Sequence, residues 1–76
     1  MKDKQGKPIK VGDRIIVDKP NYIGNVGKIL TVREIDRIWP KTLEQMCRCD
    51  NAATQEDSDA GKATHSAWLT SNEIIV

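Results

Sequence analysis

At 76 residues, with 38% hydrophobic and 30% charged positions, no Phe and a formal net charge of +1, the chain reads as one small soluble domain. A domain of this size buries only about 60% of the surface its unfolded chain exposes, so no core is left over for a deep catalytic cleft, and neither a small-molecule substrate nor a cofactor is expected. No apolar run nears the roughly 18 residues that cross a bilayer, and the opening MKDKQGKPIK lacks the apolar stretch of a secretory leader, so the expectation is a cytoplasmic protein with no membrane partner.

Residues 1–8 are polar and carry Gly6 and Pro8, which predicts a frayed, flexible lead-in with order beginning at Ile9. Ile9, Val11, Ile15 and Val17 share one parity across the Gly12-Asp13 turn, so they are expected on one face of a first strand, with Arg14 and Ile16 on the other. Lys19 to Asn25 reads as an exposed loop, and Gly24 and Gly27 suit backbone that needs positive φ or a close approach. Beyond it, KILTVREI is rich in β-branched residues. Ile29 and Val32 cannot share a face under strict alternation, which predicts a bulge between them.

Trp39-Pro40 ends that strand, because Pro removes a donor and disfavours helix at the preceding residue, and Trp39 is expected to plug an end of the fold. Residues 42–49 fit either a strand with Leu43, Cys47 and Cys49 inward or a helical turn capped by Thr42, and the surrounding meander favours the strand. The acidic segment 50–62 has no apolar residue larger than Ala and is expected to be a mobile hairpin loop. In the closing segment Ala67 and Leu69 alternate against Trp68, residues 70–73 form a tight turn, and Ile74 to Val76 make a last short strand.

Gly12-Asp13, Ile15, Val17, Gly24, Gly27, Ile29 and Val32 together resemble the GD-x-V-x-V, G-x-x-G-x-V-x-x-V spine of KOW-type SH3-like barrels. The run from Trp68-Leu69 to Ile74 is similar to the strand, 3₁₀ turn and final strand that close such barrels. The resemblance implies an all-β fold, a five-stranded SH3-like barrel over residues 9–76 with a short 3₁₀ turn before the last strand. It also implies a non-enzymatic binding module whose relatives contact RNA or polymerase.

Residues 1–41 carry ten Lys/Arg against five Asp/Glu, and residues 42–76 carry two against six, so a basic part coexists with the near-zero total. The candidate contacts are therefore Lys10, Arg14, Lys19, Lys28 and Arg33 for phosphate, with Tyr22 and Trp68 to stack a base or anchor a protein. The expected partner is nucleic acid or a ribonucleoprotein. The alternative is a small protein-binding adaptor or inhibitor, of the kind a phage or mobile element encodes, docking on a host protein complex; a 76-residue chain with its own initiating Met1 suits that reading too. Cys47 and Cys49 are too close for a useful disulfide and are expected as free thiols. With His65 they make only half of a zinc signature, and His65, the single histidine, has no assured nucleophile beside it, so no metal and no enzymatic activity are expected.

Overall fold

The computed structural model describes residues 1–18, 27–39 and 44–76. Five antiparallel strands form one sheet: β1 (Arg14–Val17), β2 (Ile29–Trp39), β3 (Glu44–Asp50), β4 (Ser66–Thr70) and β5 (Ile74–Ile75), in the spatial order β4-β3-β2-β1-β5. A short helix, α1 (Gln55–Asp59), lies between β3 and β4, and a single 3₁₀ turn, Ser71–Glu73, joins β4 to β5. The chain is all-β in class, and within the segment 42–49 the described residues 44–49 are strand.

The alternation of the sequence decides which side chains are inside. Ile15 and Val17 of β1, Leu30 and Val32 of β2, Cys47 and Cys49 of β3, Leu69 of β4 and Ile74 of β5 are all buried and form one cluster with Ile9. Each large aliphatic member contributes roughly 1.5–3 kcal/mol through the apolar surface removed from water. Val11 departs from the expected pattern: at 53% exposure it stands outside the core, because Gly12 takes a φ of 97° and turns the chain between Val11 and β1.

The bulge also lies elsewhere than expected. Ile29 points outward while Leu30 and Val32 alternate inward, so no irregularity is needed between residues 29 and 32. The register shifts instead between Val32 and Glu34, and again between Arg37 and Trp39. The first shift makes Arg33 the extra residue of β2 and lets Ile35, three residues after Val32, pack against the same core.

These shifts bend the sheet. Were it flat, its edge strands β4 and β5 would lie about 19 Å apart, four strand spacings, whereas the chain from Thr70 to Ile74 spans at most about 14 Å. The sheet is therefore strongly curled, which is how Leu69 and Ile74, on opposite edges, enter one cluster. The corner is held by Glu73, whose Oε1 accepts from the Thr70 amide at 3.1 Å and the Thr70 hydroxyl at 2.8 Å.

Two segments expected to be loose make polar contacts with the rest of the fold. In the lead-in, Lys2 bridges Pro8, Met1 packs on the core and Asp3 is buried, its carboxylate accepting from the amides of Gln5, Lys7 and Val76 at 2.9, 2.8 and 2.9 Å. The Val76 amide is the foremost cause that holds the Asp3 pKa below the usual carboxylate range. In the acidic segment, Thr54 caps α1 by accepting from the Asp57 amide at 3.1 Å, Glu56 and Asp57 occupy the first turn, and Ser58 is buried against β3. Polar anchoring replaces the apolar burial whose lack had suggested an irregular loop.

Candidate docking surface

The outward parity of the same strands builds the surface that distinguishes this molecule. Ile16 of β1 is paired on one side with Ile29 of β2 and on the other with Ile75 of β5. Ile29 is 62% and Ile16 45% exposed, and Ile75 is half-buried, so an aliphatic stripe crosses three strands on the outer face. Cross-strand neighbours of this kind stand about 5 Å apart, close enough to act as one patch.

Two residue pairs along, on the same face, Arg14 faces Thr31, and both sit beside Ile29 in a shallow recess whose other wall is Asn51, Ala52 and Ala53. The Arg14 side chain is exposed and makes no ion pair or hydrogen bond with any described residue. The opposing wall is fixed. Asn51 Nδ2 donates to Thr64 Oγ1 at 2.7 Å, and Asn51 Oδ1 accepts from the Thr64 and His65 amides, each at 3.0 Å.

Ala52 is held from beneath by a buried polar centre. Asp50, 1% exposed, accepts from Arg33 Nε at 2.9 Å, the Ala52 amide at 3.1 Å, an Arg48 guanidinium nitrogen at 3.4 Å and the Ser58 hydroxyl. A second guanidinium nitrogen of Arg33 donates to the Ala52 carbonyl at 2.6 Å. Burial pushes the Asp50 pKa up, but the hydrogen bonds from Ser58, Arg33 and Ala52 outweigh it and hold the carboxyl below its ordinary range. The bulge at Arg33, the end of β3 and helix α1 meet in this one centre.

The expected binding residues separate accordingly. Arg33, with its side chain 6% exposed, is engaged by Asp50 and the Ala52 carbonyl. Lys10 is exposed beside the Gly12 turn, in a dip with Pro8, Ile9 and Asp13. Lys28 is half-buried, its carbonyl accepting from the Val17 amide, and alternation sets it on the face opposite Ile29. Trp68, 37% exposed, lies on β4 across from Arg48, with β3 and β2 between it and Arg14 on β1. Arg48 in turn binds Glu34 at 3.3 Å, so the surroundings of Trp68 are mixed in charge rather than basic.

Lys19, Tyr22, Gly24 and Leu43, with the loop assigned to 19–25 and the side chain of Trp39, lie outside the described residues. Of the expected contacts among the described residues, Arg14 alone lines the recess beside the aliphatic stripe. Ile29, Ile75, Ala52 and Ala53 were missed, although the doublets Ile15-Ile16, Ile29-Leu30 and Ile74-Ile75 each force one aliphatic residue outward in a strand.

Among the described residues no group of three or more His, Cys, Asp and Glu side chains is placed to hold a metal ion. His65 is exposed, whereas Cys47 and Cys49 are buried free thiols whose sulfurs lie 3.4 Å apart. The hydrogen bond from Cys49 to Cys47, with burial, raises the Cys49 pKa, so its reactive thiolate is suppressed. No helix among the described residues is long and apolar enough to cross a membrane. Comparison with family models, curated proteins and solved structures finds no match, and the functional reading rests on the chain's own geometry.

Proposed function

We propose that the chain is a small SH3-like barrel that acts without catalysis as a docking module, seating a partner protein on the outer face of β5, β1 and β2. The barrel reading is supported by the curl of the sheet, the bulges of β2 and the 3₁₀ corner that bridges its two edges. The docking reading is carried by one observation, the Ile75–Ile16–Ile29 stripe standing in solvent beside Arg14. Aliphatic side chains in that position add little to the core, and covering them gains roughly 1 kcal/mol or more apiece.

Nucleic acid is the weaker reading because phosphate binding needs several cations on one surface. Here Arg33 is consumed by Asp50, and Lys28 is set on the other face of the sheet from Arg14. Affinity capture with the wild-type chain, Ile29→Glu and Trp68→Ala, at low and high salt and with nuclease, tests the proposal. Protein capture that survives salt and nuclease, is lost with Ile29→Glu and is kept with Trp68→Ala is the expected result. Captured nucleic acid that elutes with salt regardless of Ile29→Glu would refute it.

A further inference from the structure

The chemistry of the recess beside the stripe narrows the partner. Its one charged group is a cation. Arg14 presents a guanidinium with no partner among the described residues, and the Thr31 hydroxyl opposite it, able to donate or accept, has none either. On the facing wall Asn51 Oδ1 is engaged by two amides and the Ala52 carbonyl by Arg33. A carboxylate entering there meets the guanidinium, whose fork matches it in two parallel bonds.

The remaining surface is aliphatic, with Ile29 on one side and the small side chains of Ala52 and Ala53 on the other leaving room for a branched apolar side chain. A nucleic-acid backbone could satisfy Arg14 but has no aliphatic group with which to cover Ile16, Ile29 and Ile75. We infer that the occupant is a segment of a partner protein in which aliphatic residues adjoin carboxylates, an apolar side chain filling the recess and an Asp or Glu meeting Arg14. This inference rests on the docking reading above and adds the charge and character of the segment.

The probe is a pair of capped octapeptides, one alternating Leu with Asp and the other alternating Leu with Lys, titrated into the full chain and followed by amide NMR shifts. The acidic peptide is expected to move the signals of Ile16, Ile29, Thr31 and Ala53, and to bind more tightly than the basic one. Arg14→Glu should weaken the acidic peptide about fivefold and improve the basic one, the scale of a single exposed ion pair. Arg14→Lys should retain the preference at reduced strength, and the spectra themselves report whether each variant is folded.

Equal binding of both peptides at the same residues would overturn the acidic specificity while leaving the docking reading standing. Failure of both peptides to move these signals would overturn the specificity, and if Ile29→Glu also left protein capture intact, the docking reading would fall with it. Concentration-dependent shifts of the stripe in the absence of peptide would overturn the proposal in favour of a second copy of the chain.

Discussion

Asp50→Asn is the most demanding test of what holds the docking face in shape. The substitution keeps size and much of the hydrogen bonding to Ala52 and Ser58, but it leaves the Arg33 guanidinium, 6% exposed, without its countercharge. Removing one partner of a buried pair typically costs about 3–5 kcal/mol, since the remaining ion stays out of water uncompensated. Against a total of about 4–11 kcal/mol for a domain of this length, that is a large fraction, and it corresponds to a fall in Tm of at least about 12 °C. Urea and thermal unfolding followed by circular dichroism measure it. The paired change Arg33→Met with Asp50→Asn should recover much of the loss, because no ion is then left stranded. A loss below about 1 kcal/mol for Asp50→Asn, or strict additivity of the two changes, would refute the assignment of Arg33 to the fold.

Acid should uncouple two carboxylates from the fold. Asp3 and Asp50 both have native pKa values held below the usual carboxylate range, so their stabilisation is present above about pH 4 and fades as pH falls through the lower native values. The stability gap between wild type and Asp3→Asn should therefore shrink from pH 6 to pH 2, and a constant gap in urea titrations would contradict it. Gly27 has a φ of 78° with open space where a Cβ would stand, so Gly27→Val should lose about 1–2 kcal/mol or more through backbone strain alone, measurable by urea unfolding, and unchanged stability would contradict it. Buried Cys47 and Cys49 should react with a thiol-specific disulfide reagent only as fast as the domain opens, and immediate labelling of the native chain at pH 8 would contradict their placement.

Strand positions were legible wherever one face had to be buried: Ile15 and Val17, Cys47 and Cys49, and Ala67 and Leu69 all take the parity that the alternation demands. What the sequence did not announce shares a physical cause, which is structure built from polar groups. Helix α1 has no apolar stripe and is pinned by Thr54 and Ser58, yet Thr54 with Asp57 three residues on is a capping signal present in the sequence. The lead-in likewise depends on a buried Asp3 that collects three amides, a role nothing local announces because Val76 lies at the far end of the chain. Charge counts treat every Arg alike and so offer Arg33 as a phosphate ligand. Only the bulge, which follows from the odd spacing of Val32 and Ile35, shows that this one is turned into the protein.

Because Ile15, Val17 and Leu30 face inward while their immediate neighbours Ile16 and Ile29 face outward, the same few residues of backbone hold two independent sets of instructions. Substitutions in the outward set spare the buried one, so the outer face can be altered at little cost to the core. A scaffold of that kind lends itself to retargeting: randomising every second residue of two short strands samples new specificities on an unchanged foundation.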